Sequence, residues 1–248
     1  MRVLIQRFAA VVMVLACAQV ARAQTAEEII EKSIAAMGGR AALSKVKTRV
    51  ATGTITLSTP AGDIPGTIEV YNSAPNKVRT VIKADLSAFG AGPLTVDQRF
   101  DGTTGYVIDT LQGNRDITGN QLDNMRNNAF PHSFLAYKTM GQTVKLGAKE
   151  KVGDRDLFLL VFEPTAGSIV KQYVDAQSLL PTRAVVTVNV PQLGQDVEQV
   201  AEPSDFRDLD GVKTPYKLQV SSSVQGFTVT FAKIENNVAI DEKMFSKP

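Results

Sequence analysis

The sequence predicts a mainly β domain of the α+β class, and three observations carry that expectation. From Thr48 onward, apolar residues recur with period two in about eleven segments bounded by turn residues. Helical spacing is confined to the N-terminus and to one insert near the middle of the chain. Between Gln24 and Pro248 no clear linker interrupts the pattern, and these 225 residues are an ordinary length for a single all-β domain with its own core.

The residues before Gln24 read differently. In MRVLIQRFAAVVMVLACAQVARAQT, Arg2 and Arg7 form a positive n-region and Phe8 to Ala18 a short apolar h-region. Ala21-Arg22-Ala23 then makes a small-x-small cleavage site. This is the pattern of a secretory signal peptide over residues 1–23, and its apolar run is too short for a permanent span. Cys17 after Val14-Leu15-Ala16 loosely matches a lipoprotein signal, so anchoring through a lipidated Cys17 is the minor alternative. Cleavage after Ala23 takes Lys+Arg from 27 to 24 against 25 Asp+Glu, a net charge of −1. The mature chain then offers no basic surface for nucleic acid. The only cysteine is removed as well, so an exported domain without disulfides relies on its core.

Each element has a local cause. Thr25 and Glu28 form a capping box, Ile30, Ile34 and Met37 fall at helical spacing, and Gly38-Gly39 stops the helix. A second short helix is expected over Arg40 to Val46. In ATGTITLS, Ala51, Ile55 and Leu57 share one face with Gly53, opposite a row of threonines. Ile68 and Val70, then Val78 and Ile82, then Leu94, Val96 and Phe100 continue the alternation. The stretch VDQRFDGTTGYVID invites a phosphate-loop reading, but a strand rather than a helix follows its glycines and no lysine is near. It is a hairpin. Thr118 with Gln121 then suggests a capping box that opens a helical insert of about twenty residues. Leu122, Met125 and Ala129 share one face of it, and Pro131 begins a second turn carrying Phe134, Leu135 and Met140. Strands resume from Thr143, and LFLLVF (Leu157 to Phe162) is apolar on both faces, which requires cover on both sides.

The residue inventory narrows the chemistry. His132 is the only histidine, so histidine- and cysteine-based zinc sites lack ligands, and no G-x-S-x-G turn completes a triad around it. A surface or helix-packing role is expected for it. Asp205, Asp208 and Asp210 resemble a fragment of a calcium loop but lack the further oxygen ligands and the distal glutamate. Asp210-Gly211 is a hairpin signal instead. Two acids converging as a glycosidase pair have no support in the pattern, and the chain has no tryptophan to stack on sugar. No catalytic residue, cofactor or metal site is expected.

Three stretches together resemble one family, the periplasmic lipoprotein carriers and outer-membrane lipoprotein-sorting proteins of the LolA/LolB-like superfamily. They are YNSAPNKVR, similar to its strand-Pro-x-x-x-Arg entry, FDGTTGYVID, similar to its hairpin before the helical insert, and a tail. The tail comprises YVDAQSLLPTR, DFRDLDGVKTPYKLQV and IENNVAIDEKMFSKP. Two features depart from the pattern: Tyr106 stands where classical carriers have Trp with no Asp-Pro after it, and SAFGAGP adds a loop.

The resemblance implies a single curved antiparallel sheet forming an incomplete β-barrel over residues 24–248, with an N-terminal helix and the central helical insert as a lid. It implies a periplasmic, non-enzymatic carrier of a lipid or an acylated lipoprotein, loaded or unloaded by a membrane-bound donor or acceptor protein. Such a role needs only an apolar cavity: at roughly 0.8 kcal/mol per methylene, one long acyl chain contributes about 10 kcal/mol before ordering costs. The candidate lining is Val78, Ile82, Leu94, Val96, Phe100, Leu159 and Val161, with Leu122, Met125 and Phe134 on the lid. Every one of them would serve equally as ordinary core. The competing readings are a regulatory or scaffolding protein that binds a protein partner through the same sheet, and a hydrolase whose site would need buried, clustered acids.

Overall fold

Thr25 caps the first helix, α1 (Ala26–Ala36), through the reciprocal box with Glu28, and the acids Glu27 and Glu28 sit at the favourable end of the helix dipole. The computed structural model describes residues 24–59, 62–190, 194–223 and 226–248; the expected signal peptide, its cleavage site and Cys17 lie outside the described residues. The helix ends at Gly38 for a steric reason beyond capping. A Cβ there would lie 2.0 Å from the Gly211 carbonyl oxygen, while Lys213 N donates to Met37 O at 2.9 Å. The helix C-terminus thus docks backbone to backbone on the Asp210-Gly211 hairpin, and α2 (Arg40–Lys45) follows.

Among the described residues fourteen strands follow: β1 (Thr48–Thr59), β2 (Gly62–Ser73), β3 (Lys77–Asp85), β4 (Pro93–Phe100), β5 (Gly105–Asp109), β6 (Arg115–Ile117), β7 (Thr143–Leu146), β8 (Glu150–Val152), β9 (Arg155–Glu163), β10 (Val170–Asp175), β11 (Pro181–Val190), β12 (Gln195–Leu209), β13 (Val212–Ser222) and β14 (Gly226–Asn236). The short β6 and β8, of three residues each, raise the count above the period-two reading, because three residues hold no alternation to detect. All pairings are antiparallel, in the order β6-β5-β4-β3-β2-β1-β14-β13-β12-β11-β10-β9-β7, with β8 added on β9. Apart from β1 with β14 and β7 with β9, sheet neighbours are chain neighbours, as short hairpin loops dictate.

The sheet wraps round without closing. Val78 on β3 and Val170 on β10 line one cavity, although seven strand steps separate them, about 33 Å in a flat sheet at usual spacing. Among the described residues β6 and β7 are unpaired with each other, so the barrel is incomplete. The chain must cross between these two edges, and the crossing carries α3 (Gly119–Asn127) and α4 (Ser133–Ala136). Thr118 has the extended backbone of an N-cap, but its side chain accepts no capping bond; the capping box read from Thr118 and Gln121 is not formed. At α4 the cap is His132, whose Nδ1 accepts from Phe134 N at 3.2 Å.

Burial assigns the two faces. On the inner face, Ile29, Ile30 and Ile34 of α1 and Phe134 of α4 pack with Phe158, Leu160 and Phe162 of β9 and Val174 of β10 into the main core. Ile55, Ile68 and Val229 form a second inner cluster. The outer face holds Leu157, Leu159, Tyr173 and Val185.

The C-terminal segment covers the outer face of β2–β4. Phe245 is buried there, Glu242 accepts from Ser73 and pairs with Lys77, and Arg99 donates to Ser246 O. Beneath it Asp97 accepts from Arg79 and Arg99 at 2.7 and 2.8 Å. Burial alone would raise the Asp97 carboxyl, but the two guanidinium groups overcome it and hold the group below the usual carboxylate range. A depressed carboxylate stabilises the fold above its unfolded pKa and loses that contribution as pH falls through the folded value. Asp97→Asn is therefore expected to lower stability at neutral pH by about 3 kcal/mol, the low end for one partner lost from a buried pair. Urea unfolding from pH 7 down to 3 checks this: the gap between variant and parent should shrink on acidification.

Candidate functional site: two adjoining cavities

The strand register places Val78 opposite Phe100, Thr80 opposite Gln98, Ile82 opposite Val96 and Ala84 opposite Leu94, so these eight share the inner face. On the other side of the barrel Val170 pairs with Val186 and Phe162, and Gln172 pairs with Ala184 and Leu160. Between the two walls and beneath α3 lies a cavity of about 520 Å³, within the usual size range of ligand sites. Inward-facing Val78, Val170, Val186 and Val188 are only half-buried, so the barrel centre is not a filled core.

No described residue lining this cavity is charged. Its polar groups are amides and hydroxyls. Some hold the lid: Asn124 Oδ1 accepts from Ser168 N at 2.7 Å, Asn127 Nδ2 donates to Ala166 O at 2.6 Å, and Gln142 Nε2 donates to Asn127 O at 3.0 Å. At the opposite rim Arg126 donates to Thr103 O and Phe130 N to Pro75 O. Others are left open to the cavity. Among the described residues the Gln199 amide and the Thr80 hydroxyl have no partner, and Gln172 engages only its Nε2, to Tyr173 O and to Arg183 O.

A second cavity of about 280 Å³ adjoins the first and shares Gln172, Ala184 and Ala201 with it. Arg49, at the start of β1, faces this space. Its Nε donates to Asn236 Oδ1 at 2.8 Å and its guanidinium lies 5.5 Å from the Phe130 ring centroid. Burial lowers its pKa to about 10, which leaves it cationic at neutral pH, and it forms no ion pair with a described carboxylate. His132 lies beside it. Burial and the Arg49 charge push His132 down to about 4, so the ring is neutral, and the bond accepted at Nδ1 leaves its proton on Nε2. Of the surface and helix-packing roles expected for His132, the structure gives it the second, edge-on to Phe134 at 4.6 Å.

Of the residues anticipated as lining, Val78 and Met125 border the larger cavity. Ile82, Leu94 and Val96 lie on the same inner face but farther along their strands, outside either cavity. Phe100 also faces inward and is fully buried. Leu122 is half-buried on α3 without touching the cavity, and Phe134 is a core anchor at 1 % exposure. Leu159 and Val161 need correcting: they point to the outer face, where they pack with Tyr173 and Val185. Phe158, Leu160 and Phe162 are the inward set on β9. A strand apolar on both faces carries no phase, so its inner side was not readable. The cavity amides were missed because only apolar positions were sought. Their signal was Thr80, Gln98, Gln172 and Gln199 interrupting an otherwise apolar inner face.

The open, lidded sheet matches solved structures over most of their length. A DUF1329 family protein from Desulfovibrio piger superposes with a TM-score of 0.57 at 13% identity, covering 89% of this chain and 95% of its own. A LolA superfamily protein from Nitrosomonas europaea gives 0.56 at 13%, over 91% and 99%. An outer membrane lipoprotein-sorting protein domain from Vibrio parahaemolyticus gives 0.56 at 11%, over 88% and 95%. The fold is LolA-like. No protein-family model and no curated protein matches the sequence. At these identities the likeness is one of fold.

Proposed function

We propose that this protein is an exported, non-enzymatic carrier that holds the acyl chain of a lipid or acylated lipoprotein inside the half-barrel. The observation that carries the reading is the uncharged cavity of about 520 Å³ between β3–β4 and β10–β12, closed over by a helix tied to both rims through hydrogen bonds. Apolar walls supply the binding free energy through burial of methylenes, and the task asks nothing of a nucleophile or a general base. Residues 1–23 act in this reading as the signal that delivers the chain to the periplasm. The fold likeness to a lipoprotein-sorting protein domain supports the same direction.

Native mass spectrometry of the mature protein from a gentle periplasmic extract, followed by titration with a fluorescent acyl probe, tests it. The expected result is a stoichiometric lipid adduct and saturable probe uptake. Ala184 borders both cavities, so Ala184→Phe should weaken the probe about ten-fold or more while the circular dichroism is unchanged. An apo mass together with no probe uptake would overturn the carrier reading and turn attention to a protein-binding scaffold.

A further inference from the structure

We infer that the ligand is an anionic amphiphile whose single charged head group sits against Arg49 in the smaller cavity while its tail fills the larger one. This rests on the carrier reading and specifies its cargo.

The distribution of charge is the first argument. Gln172, Ala184 and Ala201 border both cavities, so the two spaces lie side by side, as a ligand spanning them requires. Among the described residues every charged side chain lining the pair, Arg49 and Lys213, belongs to the smaller cavity, and no acid lines either. His132 adds no charge there. The combined site is thus polarised, neutral at one end and cationic at the other.

Arg49 is the second argument. Arg49 is half-buried, and a guanidinium that loses part of its hydration needs compensation, which a carboxylate commonly supplies. This one has the amide of Asn236 on its Nε and the face of Phe130, and Tyr216 acts on its charge without an ion pair. Asp210 attracts it from a distance, but accepts its own bond from Asn236 Nδ2 at 3.2 Å and makes no pair with Arg49. Nη1 and Nη2 have no described partner, and their planar fork suits two oxygens of a carboxylate or phosphate. Lys213 contributes less, being exposed and 3.9 Å from Asp208. The free Gln172 carbonyl borders both cavities, placed to accept from a hydroxyl next to the head, and the Gln199 amide lies farther along, in the larger cavity.

The test compares tails that differ only in charge, on the mature protein. A fluorescent long-chain carboxylate and its methyl ester are titrated into wild type, Arg49→Gln and Arg49→Lys. Wild type should bind the carboxylate at least about ten-fold more tightly than the ester, Arg49→Gln should remove most of that difference with the ester unchanged, and Arg49→Lys should keep part of it. Retained ester binding shows that the variant's cavity is intact. Competition by a single-chain lysophosphatidate against a free fatty acid then separates a phosphate head from a carboxylate. Equal affinity of carboxylate and ester for wild type overturns the inference while leaving a carrier of neutral lipid standing. Failure of wild type with an apo native mass to bind either probe overturns the carrier reading itself.

Discussion

Gly53→Ala is expected to destabilise the protein by about 3 kcal/mol or more, the upper end of the cost of overpacking. Gly53 lies on β1 at a register shift against β14, where Thr52 pairs with Lys233 and Gly53 with Phe231. A Cβ at this position would lie 2.1 Å from the Thr230 carbonyl oxygen and 2.8 Å from Phe231 Cα. Both are backbone atoms, so no rotamer change relieves the contact; the two strands must separate. This seam is where the N-terminal strands β1–β6 meet the C-terminal strands, so the damage spreads to the curvature that brings the cavity walls together. Gly92→Ala is the matched control, since its Cβ meets nothing within 4 Å and its cost should stay within about 0.5 kcal/mol. Urea unfolding of both variants, with hydrogen exchange across β1 and β14, measures the difference. Equal stability of the two would refute the argument.

Phe134→Ala is the second large effect, at about 3–5 kcal/mol. Phe134 stacks on Phe162 at 5.7 Å with an interplanar angle of 18°, and it is enclosed by residues of α1 and β9. Its removal leaves a void that the surrounding helix and sheet cannot collapse into. Phe162 also borders the larger cavity, so the void adjoins the binding space. The variant should lose cooperativity at lower urea and hold acyl probe less tightly, because α4 and the chain that continues α3 lose their apolar anchor. Phe134→Leu, which keeps most of the volume, should cost about 1.5 kcal/mol or less. A Phe134→Ala protein with parental urea midpoint would show that α4 is a loose flap rather than an anchored element.

The strands, hairpins and N-terminal cap were legible because their causes are short-range. Period two assigned Val78, Ile82, Leu94, Val96 and Phe100 to one face, and the register confirms that they share it. Asp101, whose side chain accepts from Thr103 N and Thr104 N, makes the turn that DGTTG announced. Asp210 and Gly211 both adopt the left-handed backbone that a two-residue hairpin requires. The misplacement of Leu159 and Val161 has an equally local origin, because LFLLVF satisfies both faces and contains no polar residue to mark the outside.

By itself, then, the sequence determined the antiparallel strands, the helical insert between two groups of them, and the absence of zinc-ligand and triad residue sets. Those follow from propensity, alternation and inventory within a few residues of one another. Only the tertiary structure decided which inward residues meet a cavity and which meet a neighbour. Val78 and Val170 stand 92 positions apart in the chain, and nothing near either records the gap between them. Likewise Arg49 reads as one more polar residue at the start of a strand until Phe130, His132 and Asn236 fold around it. The volume left open and the charge left without a described carboxylate are properties of the space between segments, set by how far the sheet curves before its edges stop short of meeting.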